Sequence, residues 1–202
     1  MTARVLTLFI ILILFSFISS FCNNGFDSPQ AYIQAQTNDQ HDYLTYENST
    51  YGFKVQYPAD WSKTEFTETQ YAPGVVRIVS FQSPEELGPS GLMPPRFFLD
   101  VFAIRPVTNP LEVRINNLIN NYTAALDGFK LVSSESSSLG DNPGRSLLYT
   151  YNDIKYGDVK VLSVHTISNS IEYAVVYTAD QAQFSKYFPA VREIIDSFTL
   201  IH

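Results

Sequence analysis

Cysteine is almost absent from this chain of 202 residues, and the single Cys22 excludes an internal disulfide. A folded part must then be held by its core alone, which is feasible at ~160 residues, where a domain buries about 70 % of its unfolded surface. Histidine is scarce too. Of His41, His165 and His202, only His165 falls inside a core segment, where it shares parity with Val161 and Ile167, as a hydrogen-bonded structural histidine does. No second histidine or cysteine lies near it, which disfavours zinc and other soft metals. The chain also lacks a Gly-x-Ser-x-Gly elbow and a catalytic-type cysteine in the folded part, so no catalytic residue is assigned. Neither predicted helix follows a glycine-rich loop, which leaves no phosphate or nucleotide site. Basic charge is in deficit as well. The formal charge of −7 repels phosphate backbones and excludes nucleic acid as a partner.

What the chain does have begins at its start. Arg4 precedes an apolar run from Val5 to Phe17 that continues to Phe21. Its ~16 residues lie between a signal-peptide core and a membrane-spanning helix, so residues 1–22 read as an export signal or a retained anchor. Cleavage after Cys22 fits the small residues at both specificity positions. Cys22 is also where a lipoprotein signal places its lipidated residue, although Phe21 stands where such signals carry something small. Residues 23–42 are rich in Asn, Gln, Asp, Ser and Thr, the composition of a flexible tether. If the anchor stays, ~20 coil residues hold the domain on the order of 25 Å from the bilayer. The expected location is outside the cytoplasmic membrane, on its outer face or beyond.

Residues 43–202 are organised around Tyr51–Trp61. Phe53, Val55 and Tyr57 alternate with Lys54 and Gln56, the period of a strand with one wet face. Pro58 ends that strand, and Ala59-Asp60 turn the chain so that Trp61, the only tryptophan, folds back over the apolar side. Further strands are predicted at 43–47, 75–81, 97–104, 129–136, 145–152, 159–168 and 171–179. A long loop from Ser83 to Pro95 offers a small mixed surface or a mobile excursion. Asn109-Pro110-Leu111-Glu112 predicts a capping box for a helix whose stripe is Leu111, Ile115, Leu118, Ile119, Tyr122 and Leu126, ending at Asp127-Gly128. Asp180 with Gln183 predicts the cap of a closing helix that buries Phe184, Phe188, Val191, Ile195 and Phe198. Strand 171–178 is apolar on both parities, which requires layers above and below it, and Asn169-Ser170 makes the hairpin before it. The expected fold is α+β: a mainly antiparallel sheet of about seven or eight strands with helices on both faces.

Several of these segments carry a family resemblance. The Gly52-Phe-Lys-Val-x-Tyr-Pro-x-x-Trp61 strand and turn, the block from Val76 to Pro84, the region around Phe129 to Glu135 and the closing Ile194-Ile-Asp-Ser-Phe198 resemble, in order, the PsbP-type domain. The resemblance spans about 43–200. It implies the αβα sandwich and a non-catalytic accessory role. In plant members that role is as an extrinsic subunit of photosystem II, with calcium an associated ion. The chain departs from those members in its hydrophobic start.

No calcium-loop spacing matches that ion; Asp141, Asp153 and Asp158 are the carboxylates in acidic turns that could gather oxygens, and otherwise no cofactor is expected. Tyr149 and Tyr151, with Tyr156 in the next hairpin, are the candidate partner-binding aromatics. Two sequons, at Asn48 and Asn121, are candidate glycosylation sites, Asn48 the better placed in its turn. The expected function is an exported, membrane-tethered, monomeric accessory module contacting a membrane-associated protein or complex. A small-ligand or cation-binding surface protein is the alternative.

Overall fold

The computed structural model describes residues 42–67, 70–72, 75–84, 98–104, 108–154 and 156–201. The apolar start, Cys22 and all but the last residue of the tether lie outside the described residues, as does most of the loop after Ser83. Among the described residues no helix is long and apolar enough to cross a membrane.

Strands β1 (Tyr43–Asn48) and β2 (Phe53–Pro58) pair antiparallel around the turn at Gly52. All three apolar side chains of β2, Phe53, Val55 and Tyr57, are buried, whereas Lys54 and Gln56 are exposed. Pro58 stops the strand as expected: the Trp61 amide donates to its carbonyl at 3.0 Å, and the indole is 4 % exposed, edge-on to Tyr187 at 6.0 Å.

The remaining strands are β3 (Ser62–Glu65), β4 (Gln70–Ala72), β5 (Val75–Gln82), β6 (Phe98–Ile104), β7 (Lys130–Leu139), β8 (Asn142–Asp153), β9 (Gly157–Ser168), β10 (Ile171–Asp180) and β11 (Thr199–Leu200). Eight of them form one antiparallel sheet in the order β3-β5-β6-β10-β9-β8-β7, with β4 beside β5. The predicted two-sided strand β10 is central, and Asn169 and Ser170 turn the β9–β10 hairpin at φ 50 and 60°. One expectation is corrected in detail: the strands divide between two sheets. β1 and β2 join β11 in a separate sheet of order β1-β2-β11. The reason is in β2 itself, whose single apolar face suits it to lie over the large sheet and not to extend it.

Two helices complete the layers. α1 is Leu111–Ala125 and α2 is Phe184–Ser197. α2 and the small sheet cover one face of the large sheet, burying Tyr173, Val175, Tyr177 and Ala179 of β10 with Phe53, Phe81, Val191, Ile194 and Phe198. α1 covers the other, where Ile115 meets Leu147, Tyr149, Val159 and Val161, flanked by Leu111, Leu118, Ile119, Tyr122 and Leu126 of the predicted stripe.

Both predicted caps are corrected. α1 has Pro110 as its N-cap with no side-chain cap bond, and the Pro110 carbonyl accepts from the amides of Val113 and Arg114. Glu112 pairs with Arg145 at 3.5 Å. α2 starts after Gln183, because Asp180 still belongs to β10 and spends its Oδ1 on the amide of Ala182 at 2.8 Å. Gly140, at φ +55°, marks where layers touch: its amide donates to Ile195 of α2, and a Cβ there would lie 1.7 Å from the Phe198 carbonyl oxygen.

Candidate functional site

On the α1 face of the large sheet, β10 carries one fully buried charge. Glu172 interrupts the run Ile171-Glu-Tyr-Ala-Val-Val of β10, and its side chain has no exposed surface. A buried carboxylate needs partners, and here both oxygens have one. Oε1 meets His165 Nδ1 at 2.9 Å, and Oε2 accepts from Nε of Arg114. The register explains the first contact: His165 stands opposite Ala174, which makes Glu172 its diagonal cross-strand neighbour on the same face. The second comes from the first turn of α1.

His165 is 3 % exposed and uses its other ring nitrogen as well. Nε2 lies 2.9 Å from Oγ of Ser163, two residues back on the same face of β9. Across the other edge of β9, Arg145 is its directly opposed residue in β8. The Arg145 guanidinium donates to Ser134 Oγ at 2.9 Å, and Glu112 approaches its Nε at 3.5 Å. Burial alone pushes the Glu172 carboxyl up, but the hydrogen bonds and charges of His165 and Arg114 outweigh it and hold it below the usual carboxylate range. In the apolar part of the same face, burial pushes the phenols of Tyr149 and Tyr122 up, so both stay neutral.

Ser163, His165 and Glu172 are hydrogen-bonded in the order of an acyl-transfer triad. The surroundings oppose that chemistry. Ser163 is 2 % exposed in the middle of a central strand, α1 lies over this face of the sheet, and Arg114 already neutralises the acid. What the arrangement does is tie the first turn of a helix to β10 through a charge-assisted hydrogen bond, to β8 through an ion pair, and through Glu172 to His165 of β9.

The sequence identified His165 as a hydrogen-bonded core histidine, and so it is. It did not identify Glu172, Arg114, Ser163 or Arg145. The available signal was a single acid inside a strand apolar on both parities.

The other candidates are spread over the surface. Asp141 sits exposed in the β7–β8 turn, whereas Asp153 and Asp158 lie at the far end of β8, ~35 Å of strand away. Asp153 and Asp158 are close in the β8–β9 hairpin, where Asp153 Oδ1 accepts from the Tyr156 amide at 3.0 Å. Among the described residues no three acidic, histidine or cysteine side chains gather as a metal site. Tyr149 belongs to the core, 5 % exposed, with rings of Tyr122 and Phe129 at 5.2 and 5.6 Å; its inward parity removes it from the surface cluster. Tyr151 and Tyr156 are half-buried. Beside them, Ile154 is fully exposed at the hairpin tip, and Leu131 and Val132 are exposed on neighbouring β7. Asn48 is half-buried, its amide donating to Tyr46 and accepting from Tyr51, while Asn121 stands exposed on α1.

A family profile described as PsbP-like protein matches residues 5–200. The chain belongs to the PsbP-like family. No curated protein matches it. Among solved structures it is similar to cyanobacterial PsbP (CyanoP) of Synechocystis, with 14 % identity, a TM-score of 0.55, and coverage of 79 % of this chain and 93 % of that one. It is similar also to LpqN, involved in cell envelope biogenesis of Mycobacterium tuberculosis, at 12 % identity and TM-score 0.54, covering 82 % and 88 %. At such identities the likeness is one of fold. It bears out the α+β sandwich expected of a PsbP-like chain.

Proposed function

We propose that this PsbP-like protein is a non-catalytic accessory module that acts through protein contacts outside the cytoplasmic membrane, held there by its apolar N-terminal segment. The observation that carries the reading is the closure of Ser163–His165–Glu172: the nucleophile, base and acid that line up in this fold are sealed beneath α1 and committed to holding it. The likeness in fold to LpqN, a protein involved in cell envelope biogenesis, supports the location.

The contact face is the end of the large sheet where Ile154, Leu131 and Val132 are exposed beside Tyr151 and Tyr156. Exposed apolar groups gathered near aromatic rings are what protein partners bury. No cofactor is needed for such a role.

The test is cross-linking of the full chain on membranes from a photoreactive residue at position 154, with intact mass on the recovered protein. A discrete partner, lost with Leu131→Asp and Val132→Asp, is the expected result, together with a mass showing the N-terminal segment retained or lipidated at Cys22. Recovery of the chain alone, processed and unattached, would overturn the reading in favour of a soluble ligand-binding protein. A rise in melting temperature on adding calcium would do the same for the cofactor statement.

A further inference from the structure

Strand β7 ends the large sheet on one side and, among the described residues, pairs only with β8. It is 10 residues long, and folded proteins blunt such edges with proline, lysine or shortness, because a row of free main-chain groups is a template for another strand. The opposite side obeys that rule. There β3 and β4 are 4 and 3 residues long, and β3 carries Lys63 and Glu65. β7 has no proline, a lysine only at its first position and one register shift, between Leu131 and Ser133. From Ser133 to Leu139 its ladder is regular, and every residue between them except Glu135 is a serine, whose small side chain leaves the backbone uncovered.

The turn fixes which main-chain groups are free. Leu139 and Asn142 close the two-residue turn Gly140-Asp141, and the closing pair of such a hairpin is a hydrogen-bonded one. Glu135 and Ser137, which share parity with Leu139, therefore turn their N–H and C=O toward β8. Ser134, Ser136 and Ser138 turn theirs away. The same alternation carried across β8 and β9 makes Ser168 and Ile171 a hydrogen-bonded pair, as their own two-residue turn requires. Among the described residues the outward groups have one partner: the Ser134 carbonyl accepts from Arg145 at 3.4 Å. Ser136 and Ser138 are exposed.

Donors and acceptors that repeat at strand spacing along ~14 Å match another main chain in extended form, not a small ligand. A second copy is a poor occupant, because each chain carries a formal charge of −7 and brings another Glu135 to the same edge. Glu135 is exposed and has no ion-pair partner among the described residues, which suits a segment of opposite charge. The edge also continues into Leu131 and Val132, the exposed apolar residues of the contact face described above.

We propose that the partner of this module donates an extended segment that pairs with residues 134–138 as a further strand of the large sheet, with a lysine or arginine toward Glu135 and apolar side chains over Leu131 and Val132. The proposal rests on the accessory reading and specifies how the partner is held.

The test is the cross-link from position 154 of the full chain on membranes, repeated with substitutions on β7. Ser136→Pro removes an outward N–H and leaves the β8 ladder whole, so it should abolish capture while the melting temperature moves little. Ser136→Ala keeps that N–H and should capture normally. Ser137→Pro breaks the ladder opposite Gly144 and should lower the melting temperature. Glu135→Lys should reduce capture several-fold. In the recovered native complex the amides of Ser134, Ser136 and Ser138 should exchange at least about tenfold more slowly than in the free chain, a measurement that decides the matter even where Ser136→Pro does not fold. Capture that survives Ser136→Pro in a folded chain, or unchanged exchange at those amides, overturns this proposal and leaves the accessory reading standing. A cross-link to a second copy alone, or no capture by the native chain, overturns both.

Discussion

The two faces of the large sheet are built from the same strands and secured in opposite ways. Toward α2 and the small sheet the side chains of β10 are Tyr173, Val175, Tyr177 and Ala179, packed with aromatic rings such as Phe53 and Phe198, whose centroids lie 5.3 Å apart. Toward α1 the alternate residues of β10 are Glu172, Ala174 and Val176, and the charge among them is satisfied only by named partners. Many near-interchangeable contacts hold the first face, so damage there is graded and global. A few directional contacts hold the second, so damage is local and depends on which partner is lost.

The comparison can be broken most severely at Phe53. Phe53→Ala, at a site with no exposed surface, should cost about 4 kcal/mol and lower every probe of unfolding together. Glu172→Gln should cost about 3 kcal/mol by leaving Arg114 and His165 without their anion, measured by urea unfolding. The same carboxylate sets a pH dependence. Its folded pKa is depressed, so its stabilisation is present above the ordinary value of 4.5 and is lost as pH falls through the lower folded value. Melting temperatures taken on either side of that window should show a fall on acidification that Glu172→Gln flattens. Ile115→Ala should cost about 2 kcal/mol, with increased exchange confined to α1 and β10 left protected. Lys63→Ala, which removes an exposed pair with Glu65 at 2.7 Å, should change stability by less than about 0.5 kcal/mol. A large effect at Lys63, or a global one at Ile115, would erase the distinction between the faces.

Much of this architecture was legible wherever the chain repeats a simple period. Phe53, Val55 and Tyr57 announced a one-sided strand, the double parity of β10 announced a covered one, and the stripe from Leu111 to Leu126 announced the helix that lies over it. Short or uniformly polar elements carried no period to read: Ser62–Glu65 is exposed throughout, and Thr199–Leu200 is only two residues long. The caps were misplaced because Asn109 and Asp180 are good capping residues in isolation, yet tertiary pairing of Glu112 and the extension of β10 decided otherwise. The site was half legible. Parity put His165 in the core, but its partners are a glutamate across a hairpin and a serine on its own strand, the arginine that shares that glutamate comes from a helix 58 residues before it, and only the fold assembles them.

The small sheet has a consequence for how the protein is made. Its order β1-β2-β11 joins the beginning of the folded part to its end, and the Gln56 amide donates to Ser197 Oγ across 141 residues of sequence. A ribosome cannot deliver that closure early. Until the last residues emerge, Phe53 lacks Phe198 and the Gly52 carbonyl lacks the Ile201 amide. Contacts this far apart in sequence make folding slow and place it after synthesis. The small sheet therefore closes last, and a truncation of only the final few residues would leave β2 and the Phe53 ring without the partners that complete them.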